Sequence, residues 1–155
     1  MVDVPDISVV VPVYGSDSTL VPLYKRVATA ISGIPASFEL IFVDDCGPGN
    51  PWAIISKMAQ NDPRVTGLKL SRNYGQHNAI MAGINLARGR WVVIMDCDLQ
   101  DRPEEITRLW AKAQEGHDIV VGRRVKRQDR FFKRLSSKIF HEVIKYINNQ
   151  KNDPA

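Results

Sequence analysis

Residues 91–101 of the chain read WVVIMDCDLQD, in which an apolar run at 91–95 ends directly on acidic side chains. Valine and isoleucine in a short, uninterrupted run predict a strand buried on both faces of a sheet. Three carboxylates within six residues repel one another, and each resists losing its water. Because side chains two residues apart in an extended chain point the same way, Asp96 and Asp98 are predicted to share a divalent cation, with substrate phosphates completing its shell. The alternative is a solvated acidic turn before a helix that starts near Pro103.

Strand and helix signals alternate along the rest of the chain. This alternation predicts βαβ units, and hence an α/β fold with a mostly parallel sheet and helices on both faces. Such sheets bind ligands at the carboxyl ends of their strands, near a switch in strand order. The predicted strands are 7–13, 38–43, 65–70, 91–95 and 119–121, and the predicted helices are 19–31, 51–59, 77–87, 103–115 and 131–147.

Length and composition are typical of one soluble globular domain. The chain has 155 residues, of which 44% are hydrophobic and 25% charged. No apolar run approaches the roughly 20 residues that a membrane-spanning helix needs. The first residues lack the features of a secretory signal, and two widely separated cysteines suit a reducing cytoplasm.

Positive charge is concentrated near the end of the chain. The net charge is +4, but residues 123–151 alone contain ten lysines and arginines against two acidic residues. We therefore divide the chain into a core, 1–122, and a basic, amphipathic helical tail, 123–155. A segment of this kind forms a solvated face, binds nucleic acid or lies on an anionic lipid surface.

Several common catalytic motifs are missing from the sequence. No G-x-G-x-x-G follows the first strand and no Walker A motif occurs, so neither dinucleotide binding nor P-loop chemistry is indicated. The sequence also lacks H-E-x-x-H, Cys/His zinc spacing and a G-x-S-x-G elbow. What remains is a predicted sheet edge that presents carboxylates to a nucleotide and a metal.

Five short motifs, at 9–14, 42–45, 71–77, 96–101 and 122–124, follow one another in an order that resembles the family 2 glycosyltransferases of GT-A fold. The resemblance covers about residues 7–147 and is strongest to the polyprenyl-phosphate branch, which includes dolichyl-phosphate mannose synthases and bacterial undecaprenyl-phosphate sugar transferases. It implies a Rossmann-like GT-A fold and inverting transfer of a sugar from a nucleotide-diphosphate donor to a polyprenyl phosphate. Gly15-Ser16 stands where the family usually has Asn-Glu, and Arg102 replaces a proline.

The resemblance also implies a role for individual residues at the donor site. Mg²⁺ or Mn²⁺ is the implied cofactor. The implied metal ligands are Asp96, Asp98 and Gln100, and the implied catalytic residues are Asp96, Asp98 and Asp101. The implied nucleotide-binding residues are Pro12, Tyr14, Asp17, Asp44, Asp45, Arg72 and Asp96. Taken alone, Asp44 and Asp45 are equally consistent with a turn cap before Pro48.

The acceptor side is implied by the basic tail. The implied ligands of the lipid phosphate are Arg124, Arg130, Lys133, Arg134 and Ser137. The expected setting is cytoplasmic, at the inner face of the membrane, with peripheral attachment and no nucleic-acid partner. Homo-oligomers are also expected, because an open sheet edge and an uncovered apolar helix favour self-association. Family members continue well beyond the length of this chain, so the resemblance predicts that the C-terminal, acceptor-binding part is missing here.

Two other functions are compatible with the sequence. One is a non-catalytic fragment that binds the donor nucleotide and transfers nothing. The other is a module that binds a lipid surface or nucleic acid through its basic tail. The second is disfavoured, because the positive charge is confined to one segment and no nucleic-acid motif accompanies it.

Overall fold

Four strands form a single parallel sheet in the computed structural model, which describes residues 4–122. The sheet has the order β3-β2-β1-β4, and every pairing in it is parallel. The strands are β1 (Ile7–Val13), β2 (Phe38–Asp44), β3 (Val65–Lys69) and β4 (Trp91–Ile94). The helices are α1 (Asp17–Ser32), α2 (Pro51–Asn61), α3 (Gln76–Leu86) and α4 (Ile106–Ala113), with a 3₁₀ turn at Pro103–Glu105 before α4.

Helices cover both faces of this sheet, as the sequence predicts. Alternate side chains of β1 and β2 point to opposite faces. On one face Val9 and Val11 belong to the larger core, which includes residues of α1, α2 and α4. On the other face Val10 packs in a smaller cluster with Ala79 of α3. Both central strands are fully buried, which explains why they read as continuous apolar runs.

The strand order reverses next to β1. The chain runs outward from β1 to β2 and β3, and then returns to place β4 on the opposite side of β1. The carboxyl ends of β1 and β4 therefore flank the point at which the order switches. Open α/β sheets bind their ligands in the crevice at such a point.

Three predictions about secondary structure are wrong. β4 is not buried on both faces: Val92 is 40% exposed and Ile94 51%, because α3 packs over β1 and β2 and β4 lies at the sheet edge of the described residues. Residues 119–121 form no strand, and Ile119 and Val121 are exposed. The helix predicted at 103–115 is a 3₁₀ turn followed by the shorter α4. The predicted helix 131–147 lies outside the described residues, and the division at 122/123 stays a prediction.

A buried glutamate fixes the end of the sheet opposite the predicted site. Glu39 Oε1 accepts hydrogen bonds from Ser8 Oγ at 2.6 Å and from the backbone amide of Arg88 at 2.7 Å. The Arg88 guanidinium donates twice to Oε2. Burial opposes the charge, but the donors prevail and hold the pKa of Glu39 below its usual value. Ser8 Oγ also accepts from the Gly89 amide, so one cluster joins β1, β2 and the segment before β4.

We expect Ser8→Ala to lower the free energy of unfolding by about 1–3 kcal/mol, because it removes a donor from a buried carboxylate and the acceptor of the Gly89 amide. Urea unfolding followed by circular dichroism measures the change. The matched control is Ser32→Ala on the exposed end of α1, for which we expect less than about 0.5 kcal/mol. Equal effects of the two substitutions would contradict this account of the cluster.

Candidate functional site

The first residues after β2, β3 and β4 remain hydrogen-bonded to the neighbouring strand. The Asp45 amide donates to the Val13 carbonyl at 2.9 Å, and the Leu70 amide donates to the Asp44 carbonyl at 2.9 Å. On the other side of β1 the Met95 amide donates to the Val10 carbonyl at 3.1 Å. The polar residues after each strand are thereby gathered at one edge of the sheet.

The loops after β1 and β2 are in backbone contact. A Cβ atom at Gly47 would lie 2.5 Å from the Gly15 amide nitrogen, so only glycine permits this approach. Asp17, the first residue of α1, accepts a hydrogen bond through Oδ2 from the Asn50 amide at 2.9 Å. Its Oδ1 is buried and has no hydrogen-bond donor among the residues that the structure describes.

The acidic segment after β4 is a turn and not an extended chain. Asp98 Oδ1 accepts from the Gln100 amide at 2.9 Å, and Leu99 has a positive φ of 64°. Asp101 Oδ2 accepts from the Asp96 amide at a longer 3.4 Å. The alternation expected for an extended segment therefore does not orient Asp96 and Asp98; the turn does. Asp98 is exposed and Asp96 half-buried.

The turn after β4 also touches the loop after β1. The Cys97 thiol donates to Ser16 Oγ at 3.2 Å, while Cys97 packs against the larger core. This contact lies at the switch in strand order, and it places the acidic turn beside the loop that contains Tyr14. The Tyr14 side chain is 56% exposed there.

The residues predicted to bind the nucleotide differ in exposure. Pro12 and Asp44 are buried, and Asp44 Oδ1 accepts from the Cys46 amide at 3.1 Å. Arg72 is exposed, and its guanidinium lies over the Tyr74 ring at 4.8 Å from the centroid. The site therefore has a buried acidic floor at the end of β2 and an exposed cationic and aromatic rim.

Asp45 has a specific structural partner. It is 3% exposed, and its two oxygens accept hydrogen bonds from the amides of Tyr74, at 2.8 Å, and Gly75, at 2.9 Å. Gly75 has a φ of 88°, which favours glycine, and directly precedes α3. Both carboxylate oxygens are thus engaged by the turn that starts α3, which is not the turn before Pro48 that the sequence offered as the alternative.

Sequence reasoning missed Gln76. Its side-chain amide donates to Asp96 Oδ1 at 2.7 Å, across from the start of α3 to the end of β4. Gln76 lies within the 71–77 motif, but the motif does not indicate its partner, because only the folded chain brings it to Asp96. Neighbouring His77 is exposed.

The carboxylates suit a cation that is held jointly with a substrate. Among residues 4–122 no group of three or more His, Cys, Asp and Glu side chains is arranged to bind a metal ion. Mg²⁺ is commonly held by one or two carboxylates together with substrate phosphates, and carboxylate oxygens are suitable donors for it and for Mn²⁺. Asp96 and Asp98 match that donor set.

The predicted acceptor residues are not part of the described structure. The residues outside the described range are Arg124, Arg130, Lys133, Arg134 and Ser137.

Helices α1–α4, all within residues 4–122, are each too short or too polar to cross a bilayer.

Comparison with known proteins places the chain in a family. The family described as "Glycosyl transferase family 2" matches residues 8–154. The chain belongs to this family. Two bacterial relatives, from Proteus mirabilis (strain HI4320) and Shewanella sediminis (strain HAW-EB3), are described as undecaprenyl-phosphate 4-deoxy-4-formamido-L-arabinose transferases. The Proteus protein is 43% identical in sequence over 89% of this chain, and this chain spans 43% of its length. The Shewanella protein is 42% identical over 90% of this chain, and this chain spans 42% of its length.

Solved structures confirm the fold of this family 2 chain. The crystal structure of S. aureus TarS 1-349 has a TM-score of 0.57 and 23% identity, and covers 79% of this chain and 38% of that one. The same protein in complex with UDP-GlcNAc has a TM-score of 0.56, with 23% identity over 79% of this chain and 37% of that one. The α/β sheet described above is thus the GT-A fold predicted from sequence.

We expect Asp45→Asn to lower the free energy of unfolding by about 1–3 kcal/mol, because the asparagine amide group cannot accept the second backbone hydrogen bond. Amide hydrogen exchange at Tyr74 and Gly75 should accelerate in the same variant. Asp98→Asn is the matched control: it is exposed and keeps an acceptor oxygen, so we expect a change below about 0.5 kcal/mol. A neutral Asp45→Asn would show that the turn does not depend on this carboxylate.

Proposed function

We propose that this chain carries the donor site of a glycosyltransferase that moves a sugar from a nucleotide diphosphate to a polyprenyl phosphate. The observation that carries the proposal is the meeting of the acidic turn after β4 with the loop after β1, at the switch point of the sheet. The curated relatives, at 42–43% identity, support the lipid phosphate as acceptor. The first donor sugar to test is the one that they are named for, 4-deoxy-4-formamido-L-arabinose.

In this proposal the acidic turn holds the donor diphosphate. Asp96 and Asp98, with Gln100 beside them, bind Mg²⁺ or Mn²⁺ together with the phosphates. The bound cation would supply positive charge where the leaving diphosphate becomes more negative. Asp101 contributes by accepting from the Asp96 amide, which restrains the backbone of the turn.

The nucleotide occupies the loops after β1, β2 and β3. Asp44, at the buried floor, binds the base, Pro12 and Tyr14 line the pocket, and Arg72 adds a cation at the rim. Asp17 and Asp45 serve the pocket through the loop amides that they accept from, because those hydrogen bonds fix the Asn50 and Gly75 segments.

The acceptor is a phosphate, and this determines what the protein must provide. A phosphate oxygen is anionic at neutral pH, so it attacks the anomeric carbon without first losing a proton to a general base. The bond from that carbon to the diphosphate breaks as the new bond forms, and the nucleoside diphosphate leaves. A single in-line displacement inverts the anomeric centre. Cationic side chains must hold two anions in line, and we assign this role to Arg124, Arg130, Lys133 and Arg134, with Ser137.

The same basic segment suggests where the reaction takes place. The acceptor is a membrane lipid, and ten cationic side chains within residues 123–151 are attracted to an anionic lipid surface. We propose that the chain works as a peripheral protein at the cytoplasmic face of the membrane. Among residues 4–122 no strand pairs with the outer edge of β4, and an unpaired strand edge favours pairing with another chain. Self-association through this edge is a further proposal.

We expect calorimetry to detect binding of UDP or GDP to the 155-residue chain only in the presence of Mn²⁺ or Mg²⁺. Asp98→Ala should weaken this binding at least about tenfold, the usual scale for losing a metal ligand or its support. Glu115→Ala, an exposed carboxylate beyond α4, is the matched control and should bind as the wild type does. Metal-independent binding, or equal binding by Asp98→Ala, would contradict the proposal.

Transfer of a radiolabelled sugar to polyprenyl phosphate separates an active enzyme from a non-catalytic donor-binding fragment. Metal-dependent nucleotide binding without transfer by this chain would support the fragment. Transfer that is lost in Asp98→Ala would support the complete activity.

A further inference from the structure

We propose that Gln76 is a positioning residue for Asp96, and that Asp45 acts through Gln76 by fixing the start of α3. The inference rests on the donor site proposed above and concerns residues that support this site through hydrogen bonds. In this scheme Gln76 binds neither the metal nor the nucleotide; it helps to keep the Asp96 carboxylate in one orientation.

The contact between Gln76 and Asp96 is short and charge-assisted. The Gln76 Nε2 atom lies 2.7 Å from Asp96 Oδ1, at the short end of N–H···O distances and typical of a donor to an ionised carboxylate. The two residues are 20 positions apart in sequence: Gln76 is the first residue of α3, and Asp96 lies in the turn after β4. The hydrogen bond therefore restrains Asp96 from outside its own turn.

The position of Gln76 is itself determined by the turn before it. Gly75, with its φ of 88°, donates its amide both to Asp45 Oδ2 at 2.9 Å and to Asn73 Oδ1 at 2.8 Å. The Asn78 side chain donates to the Tyr74 carbonyl at 2.7 Å, which ties the first turn of α3 to the same segment. Gln76 thus begins a helix whose start is anchored to the buried end of β2.

The donor that Gln76 offers to Asp96 is a neutral amide. A neutral donor orients a carboxylate without adding a positive charge where a divalent cation would bind. Gln76 orients the carboxylate and leaves its charge unchanged. Groups that orient a metal ligand in this way typically contribute 10–100-fold to metal affinity or activity, although they do not touch the metal.

We expect Gln76→Met, which keeps the length of the side chain and removes the donor, to weaken Mn²⁺-dependent UDP binding about 10–100-fold. Gln60→Met on the exposed face of α2 is the matched control and should bind as the wild type does. The thermal midpoints of both variants should stay near that of the wild type, since both side chains are exposed. If the wild type binds the nucleotide and Gln76→Met binds it equally well, the inference about Gln76 is overturned and the proposed function still stands.

A double-mutant cycle tests whether Gln76 acts through Asp96. In an Asp96→Ala background Gln76→Met should cause no further loss of nucleotide binding, because the carboxylate that it orients is gone. Additive losses would show that Gln76 acts elsewhere and would overturn the inference. If the wild type binds no nucleotide with any metal, the proposed function itself fails.

The side-chain amide of Gln76 gives a readout without ligand. Its ¹H–¹⁵N resonances, assigned by their loss in Gln76→Met, should shift in Asp96→Ala and remain in place in Asp98→Ala. If the Gln76 side-chain resonances do not shift in Asp96→Ala, the inference is overturned, whatever the binding results.

Discussion

The parallel pairing of β4 with β1 is the interaction on which the candidate site depends. It extends over four residue pairs, from Ile7 opposite Trp91 to Val10 opposite Ile94, and the Met95 amide adds one more hydrogen bond. Because β4 ends several residues before β1, its acidic turn lies beside the last residues of β1 and close to the loop that follows. Without this pairing the acidic turn and the nucleotide loops would be on separate parts of the chain.

The acidic side chains at this edge divide into two kinds. Asp45 is buried, and both of its carboxylate oxygens accept hydrogen bonds from backbone amides of the turn before α3. Asp98 is exposed, and its one described hydrogen bond shapes its own turn. Burial of a carboxylate is tolerated only with good donors, so Asp45 maintains the turn before α3, whereas the exposed Asp98 can meet a cation. Asp96 stands between them: it is half-buried, and its Oδ1 accepts a hydrogen bond from Gln76.

Much of the fold and the location of the site could be predicted from sequence. Continuous apolar runs identified β1 and β2 because both strands are buried on two faces. The polar residues after each strand indicated that the candidate site lies at the carboxyl ends of the strands. The same pattern misled for β4, whose Val92 and Ile94 are exposed, because an apolar run does not reveal whether a helix covers it. Residues 119–121 were predicted as a strand from their apolar side chains, but this short run forms no strand.

The connections within the site could not be predicted, because they are long-range. The sequence offered Asp45 both as a nucleotide ligand and as a turn cap, and only the folded chain shows two amides from residues 29 and 30 positions away at its oxygens. The contact between Gln76 and Asp96 is long-range in the same way, since the two residues are 20 positions apart. The turn at 96–101 was also misjudged, because the positive φ of Leu99 is unusual for a leucine.

The most direct test of the account is to locate Mn²⁺ by its anomalous scattering in crystals of the 155-residue chain grown with UDP. The account predicts a single strong peak within coordination distance of the Asp96 or Asp98 carboxylate and of the nucleotide phosphates. Mn²⁺ bound at another place, or a diphosphate bound at this edge with both carboxylates turned away from the ion, would contradict it.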